Sequence, residues 1–155
     1  MVHAGRTLAA IALLLGAWLP MAMAEDANPD AILGKWNDAK KEGVFEIYRD
    51  GDRFFGRIAG LKTEVYPPGD PEAGKKKHDR ENPDPALRSR DMMGLVFLKD
   101  FRFEEDKYVG GTIYNPESGK TYKCKMHVEG DTLHVRGYIG VSFLGKTEHW
   151  TRVRD

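Results

Sequence analysis

The chain has 155 residues, and its 24 lysines and arginines balance 24 aspartates and glutamates, so the formal net charge is zero. A neutral chain lacks the basic excess that is typical of nucleic-acid-binding domains, and we therefore expect no nucleic-acid partner. Cys124 is the single cysteine, which excludes an internal disulfide and leaves packing as the source of stability.

The N-terminal segment, residues 1–24, has the layout of a secretory signal peptide. Arg6 precedes an apolar run over residues 8–19, and the segment ends in small residues at Ala24. This run is too short to cross a bilayer, which needs about 20 residues. We predict cleavage before Glu25, a periplasmic or secreted mature protein without a transmembrane anchor, and a single domain over residues 25–155. The alternative is that the segment stays uncleaved as a membrane anchor.

The first hairpin signal is Asp50-Gly51, which lies between two runs of alternating polar and apolar residues. Asp-Gly is a strong signal for a two-residue β-turn because both residues tolerate positive φ. Counting outward from this turn pairs Ile47 with Phe54.

The segment 62–93 interrupts the alternating pattern with prolines and charges, which excludes a central strand. Connections of this length are usually functional or disordered. We interpret residues 75–80 as a solvated charged tract. The following NPDPALRSR stretch predicts an ordered turn of helix capped by Asp84 or Asn82.

Two further turns organise the C-terminal third. Pro116 and Gly119 predict a four-residue turn that places Ile113 opposite Tyr122, because proline presets φ and glycine accepts the left-handed region.

The next turn, at Gly130, places Met126 opposite Val135 and His127 opposite His134. Two facing imidazoles suit zinc or copper, but two ligands make an incomplete site. We expect adventitious surface histidines and no metal.

Because side chains alternate along a strand, these registers define one apolar face. Its members are Phe45, Ile47, Phe54, Ile58, Val109, Ile113, Tyr122, Cys124, Met126, Val128, Leu133 and Val135. The pattern predicts an all-β fold, an antiparallel up-and-down barrel of about eight strands with one long loop. Such a barrel is either filled by side chains or holds one small ligand.

No catalytic constellation emerges from these registers. Cys124 and His127 lie three positions apart on one strand and therefore point to opposite faces, so they cannot form a thiol nucleophile with its base. Cys124 is expected to point inward, opposite Gly137. The chain has no GxSxG, phosphate-binding or HExxH pattern. We therefore expect neither an enzyme nor a cofactor.

Three motifs in order, NPDPALRSR, GGTIYNPESGKTYKCKM and LHVRGYIGVSFLGKTEHWTRV, resemble the bacterial exported family called domain of unknown function 2147. The resemblance covers residues 33–153 and implies a small calycin-like or lipocalin-like barrel in the cell envelope, without a known reaction. The GKW stretch that ends at Trp36 also resembles the lipocalin opening motif. In that case Arg152 packs over Trp36; the alternative is a core tryptophan near a surface arginine.

We expect a monomer that binds a small, fatty-acid-like or other apolar ligand without transforming it. The alternative is an interaction module with a packed core. Arg88 and Arg90 are candidates to clamp an acidic head group, or else to pair with Asp84 or Asp91 and hold the long loop shut. The predicted ligand-binding residues are Trp36, Phe45, Ile47, Phe54, Arg88, Arg90, Tyr122 and Met126.

Overall fold

A computed structural model describes residues 27–154 of the chain. Within that range, eight strands form a closed antiparallel barrel in which each strand pairs with the next and the last pairs with the first. The strands are β1 (Gly34–Asn37), β2 (Gly43–Asp50), β3 (Arg53–Leu61), β4 (Val96–Glu104), β5 (Lys107–Asn115), β6 (Lys120–Glu129), β7 (Thr132–Tyr138) and β8 (Lys146–Arg152). The predicted up-and-down barrel is confirmed.

Among the described residues, the remaining regular structure consists of short 3-10 turns at Pro29–Ile32, Pro85–Leu87 and Ser142–Leu144. Over residues 27–154, no helix is long and apolar enough to cross a membrane. The predicted signal peptide, residues 1–24, lies outside the described residues.

The registers predicted for the C-terminal half are confirmed. Ile113 pairs with Tyr122, and His127 pairs with His134. Cys124 faces inward with no exposed surface. The two turns that set these registers contain residues whose conformational preferences admit few alternatives, which is why the sequence could predict them.

The register predicted for the first hairpin is wrong. Ile47 pairs with Gly56, and the turn residues are Gly51 and Asp52. Gly51 has a φ of 60°, as a type II′ turn requires of its first central residue, whereas the prediction used a turn with glycine in second place. The pairing partners shift by an even number of residues, so Ile47 and Phe54 keep the inward face that was predicted for them.

A β-bulge on β5 overturns the inward placement of Val109. The pairing with β6 shifts between Tyr108 and Gly111, and Gly110 has a φ of 77°. Tyr108 is therefore the residue that enters the core, where it is 1% exposed. At Gly111 a Cβ atom would lie 2.5 Å from the Phe101 ring, so only glycine leaves that ring its space.

The closed end of the barrel, at the turns after β2, β4 and β6, is sealed around Trp36 and Arg152. The Arg152 guanidinium lies 4.1 Å from the centroid of the Trp36 ring, which confirms the predicted packing. It also donates to the carbonyls of Leu33 at 3.0 Å and Ala31 at 2.5 Å, which ties the N-terminal turn to β8. A cation that satisfies carbonyls while it covers an aromatic face seals this end without a buried unpaired charge.

The long loop, residues 62–95, is ordered by its own contacts. Isolated bridges join Val65 to Lys76 and His78 to Asp91. These backbone bonds fold the loop back on itself, which provides partners for the backbone groups of an otherwise irregular segment.

Two predictions for this loop have opposite outcomes. Residues 75–80 are not a fully solvated tract, because the Asp79 side chain inside it is completely buried. The cap is confirmed: the Asp84 carboxylate accepts from the backbone N–H of Ala86 at 3.0 Å, at the start of the Pro85–Leu87 turn. Burial of Asp79 depends on partners distant in sequence, which local charge patterning does not reveal.

Candidate ligand cavity

The open end of the barrel contains a cavity of about 930 Å³. The connections after β1, β3, β5 and β7 meet at this end, and the long loop after β3 forms much of the cavity wall. Ligand pockets for small molecules commonly have about 300–1,000 Å³. The cavity is therefore large enough to hold a small ligand or an acyl chain.

Three aromatic rings lie together at the inner part of the cavity. Phe45 lies 4.7 Å from Phe97 and 4.6 Å from Trp150, measured between ring centroids. Phe97 and Trp150 are 5% and 1% exposed, so their rings pack mostly against each other and against the core below them. Ile58, Ile113, Tyr122 and Val135 complete the apolar wall. This part of the cavity suits an uncharged, apolar group.

The rim of the cavity is charged. Lys62, Lys77 and Arg80 line it together with acidic groups that include Asp38 and Glu42. A cavity with an apolar interior and a charged rim matches an amphipathic ligand whose tail lies inside and whose polar end stays near solvent.

Arg80 does not offer a free guanidinium to a ligand, because the loop occupies it. Its two terminal nitrogens donate to Asp70 at 2.8 and 2.9 Å, and its charged end stacks 4.1 Å from the Tyr66 ring centroid. The hydrogen bonds from Arg80 hold the pKa of Asp70 at about 2. The pair fixes one wall of the mouth.

His78 lies between two acceptors in the same wall. Its Nδ1 lies 2.6 Å from the carbonyl oxygen of Arg88, and its Nε2 lies 2.9 Å from Glu72. The Arg88 carbonyl raises the pKa of His78; burial opposes the shift, and Glu72 adds to it. Both ring nitrogens can donate at once only when the imidazole is protonated, so the cation is the form that this site favours.

Asp79 is the buried centre of a second network that joins the loop to the barrel. Arg90 donates to its carboxylate from two nitrogens, at 2.8 and 2.7 Å. The Tyr114 hydroxyl on β5 donates at 2.5 Å, and the Asn82 amide donates at 2.7 Å. Burial raises the pKa of Tyr114 to about 12, and the hydrogen bond to Asp79 adds to the shift. The phenol therefore remains a hydrogen-bond donor at neutral pH.

The structure places the eight predicted ligand-binding residues in three locations. Phe45 and Tyr122 line the cavity. Within the described range, the Tyr122 hydroxyl has no hydrogen-bond partner, whereas every buried polar side-chain atom there has a hydrogen-bond partner. The Tyr122 hydroxyl is therefore not buried and is open to solvent or a ligand. Trp36, Ile47, Phe54 and Met126 belong to the packed core below the cavity.

Arg88 and Arg90 lie outside the cavity lining. Arg90 binds Asp79, and Arg88 donates through Nε to the carbonyl of Asn82 at 2.8 Å. These contacts favour the alternative in which the arginines hold the loop, although the partner of Arg90 is Asp79 and not Asp84 or Asp91.

Sequence reasoning missed Trp150, Phe97 and Lys77 as cavity residues. Trp150 was missed because no turn signal set a register for the last strand; the structure pairs it with the inward-facing Leu133. Phe97 was missed because β4 contains register shifts that turn adjacent Phe97 and Leu98 both into the core.

The facing histidines gain a third neighbour in the structure. Ligand atoms of His127, Glu129 and His134 lie within 4.8 Å of one another. The two imidazole planes are nearly parallel, at 12° with centroids 4.2 Å apart, so their in-plane lone pairs do not meet at one point in this geometry. Burial and the adjacent His134 lower the pKa of His127.

A closed eight-stranded meander with a sealed end under a tryptophan and arginine, and an open end over an apolar cavity, defines a lipocalin-like barrel. The chain belongs to the family described as "Uncharacterized protein conserved in bacteria (DUF2147)", whose model matches residues 34–152.

A solved structure is similar over most of the chain. It is described as "Protein HP1028 from the human pathogen Helicobacter pylori belongs to the lipocalin family", with 27% identity and a TM-score of 0.66. The similarity covers 80% of this chain and 84% of that one. No curated protein matches the chain.

Proposed function

We propose that the protein binds a small amphipathic molecule, of the fatty-acid type, in the cavity at the open end of the barrel and does not transform it. The observation that carries the proposal is the cavity of about 930 Å³ with aromatic rings inside and charges at its rim. A filled core would have favoured a protein-interaction module instead. We further propose that the protein acts in the periplasm or outside the cell, based on the signal-peptide pattern of residues 1–24.

The rim supports an acidic head group. Lys62 and Lys77 line the mouth, and neither forms an ion pair with a described residue. The open hydroxyl of Tyr122 adds a hydrogen-bond donor closer to the apolar wall. A carboxylate near these groups would gain charge-assisted hydrogen bonds while its tail contacts Phe45 and Trp150.

Gly137 offers a direct test, because it lines the cavity and its conformation accepts a side chain. A Cβ atom there would lie 3.5 Å from the nearest atom of Ile113, an ordinary contact. Gly137→Phe should fill the cavity and abolish binding of hexadecanoic acid, measured by titration calorimetry or native mass spectrometry. Gly137→Ala is the matched control and should bind as the wild type does. Equal binding by Gly137→Phe with an intact fold would contradict the proposed site.

The head-group assignment is tested by comparing hexadecanoic acid with its methyl ester. Lys77→Ala should weaken binding of the acid about tenfold more than binding of the ester, the lower end of what a charge-assisted hydrogen bond contributes at a partly exposed site. Arg88→Ala should leave the preference for acid over ester unchanged, because Arg88 lies outside the lining. A lost preference in Arg88→Ala alone would restore the clamp interpretation.

A further inference from the structure

The connection between β7 and β8 exposes four large apolar side chains, which we call the apolar tip. Ile139, Val141, Phe143 and Leu144 are 74%, 51%, 77% and 72% exposed. Single apolar residues are common on protein surfaces, but a cluster of this kind usually marks a binding surface.

The exposure of the tip is supported by specific hydrogen bonds. Arg136 donates to the carbonyls of Ser142 at 2.6 Å and Phe143 at 2.8 Å. Lys125 donates to the Ser142 hydroxyl at 3.1 Å. At Gly145 a Cβ atom would clash with the carbonyl of Gly137, so the loop lies directly against β7. These contacts hold the backbone of the tip in place while its apolar side chains point to solvent.

Basic residues accompany the tip on the outer wall of the barrel. Lys123, Lys125 and Arg136 lie on the outward faces of β6 and β7 beside it, since the inward positions there belong to Cys124 and Val135. Lys125 and Arg136 are half-buried by the hydrogen bonds that hold the tip and add their charge to this wall, whereas Lys123 is exposed. The tip also lies at the open end, next to the mouth of the cavity. The nearby carboxylate of Glu148 lines the cavity and not the outer wall. Apolar and basic groups therefore form one surface on the β6–β7 side of the mouth, whereas the rest of the rim also carries acidic groups such as Asp38 and Glu42.

The chemistry of this surface favours an anionic bilayer as its partner. Stable protein interfaces use about 20–30 residues on each side with matched shapes, and the tip offers four apolar side chains on a short loop. A lipid interface needs no shape match: apolar side chains enter the acyl boundary while lysines and arginines meet anionic head groups.

We propose that the apolar tip and the adjacent basic wall dock the open end of the barrel on the surface of a membrane that contains anionic lipid. The docking does not depend on a ligand in the cavity. It would place the mouth against the layer from which an apolar molecule is taken or to which it is delivered.

The test uses the protein without residues 1–24, because the apolar run at 8–19 would bind lipid by itself and the whole barrel lies within residues 27–154. Flotation with vesicles of equal parts phosphatidylglycerol and phosphatidylcholine should recover the wild type. The double variant Phe143→Ser, Leu144→Ser should bind about a hundredfold more weakly, since each side chain removed from the interface accounts for roughly a tenfold change or more. Vesicles of phosphatidylcholine alone should bind the wild type at least about tenfold more weakly.

The matched control is Phe55→Ser. Phe55 stacks on Tyr48 at 5.8 Å between ring centroids, on strands β2 and β3, away from β7 around the barrel. This variant should float as the wild type does. The proposal is overturned if the wild type binds neither kind of vesicle, or if the double variant binds equally well. If the wild type binds no vesicle, sedimentation experiments show what the tip does instead. Self-association of the wild type that the double variant loses would make the tip an interface between copies.

Discussion

Replacing Asp79 is the most informative perturbation of the long loop, which forms much of the cavity wall. Its carboxylate has no exposed surface and accepts hydrogen bonds from Arg90, Tyr114 and Asn82. Asp79→Ala removes all of these bonds and leaves the Arg90 guanidinium without its partner. Asp79→Asn keeps the shape but loses the charge and one acceptor oxygen.

The magnitude follows from the burial of the two partners. Removing one member of a buried, hydrogen-bonded ion pair typically costs about 3–5 kcal/mol. The Arg90 side chain is 34% exposed, so it regains part of its hydration when the pair is lost. We therefore expect the free energy of unfolding to fall by about 3 kcal/mol in Asp79→Ala and by roughly half as much in Asp79→Asn.

The assay is urea denaturation together with limited proteolysis of the long loop. Because Tyr114 lies on β5, loss of the network should expose the loop to protease as well as destabilise the barrel. Arg88→Ala is the comparison, since Arg88 contributes one hydrogen bond to a backbone carbonyl and should cost about 1 kcal/mol. A loss below about 1 kcal/mol in Asp79→Ala, with proteolysis unchanged, would refute the assignment of this network as the loop anchor.

Three further outcomes are expected. Arg152→Lys should destabilise the closed end by about 2 kcal/mol in urea denaturation, because a lysine cannot both cover the Trp36 ring and reach two carbonyls; a change within error would contradict that role. The Arg88 carbonyl raises the pKa of His78 in the folded protein, so the protonated imidazole stabilises the long loop. This stabilisation is fully present below the pKa that His78 has in the unfolded chain, and it is lost as the pH rises through the pKa of His78 in the folded protein. Proton NMR of His78 and loop proteolysis against pH should show this, and a loop that tightens with rising pH would contradict it. Burial raises the pKa of Cys124 to about 12, so a thiol reagent should react slowly with the folded protein at pH 8 and quickly in urea, whereas equal rates would place the thiol on the outside.

Much of the barrel could be predicted because strands carry a period of two that is visible in the sequence. The turns at Pro116–Gly119 and at Gly130 have sequences with few alternative conformations, and their registers placed Tyr122 in the cavity wall and Met126 in the core. The same reasoning failed where a bulge changes the count: on β5 the pattern selected Val109, and the structure turns Tyr108 inward.

The candidate site was less predictable than the barrel. Arg88 and Arg90 have the right chemistry for an acidic head group, but their partners decide what they do, and Asp79 is 11 residues away from Arg90 in sequence. Lys77 looked like part of a solvated run, and it lines the mouth. The sequence around a residue gives the chemistry of its side chain. It does not indicate which lysines and arginines form ion pairs once the loop has folded.

The sequence by itself determined the fold class, because alternation of polar and apolar residues commits each strand to one dry face, and eight such strands bury that face best by closing on themselves. For the closed end, the resemblance of the GKW stretch to the lipocalin opening motif offered the packing of Arg152 over Trp36 as one of two alternatives, and the structure shows that packing. The tertiary structure decided where the barrel is filled and where it is hollow. That division depends on ring packing among Phe45, Phe97 and Trp150, on bulges that redirect side chains, and on a loop held by Asp79, all of which are contacts between residues far apart in the chain.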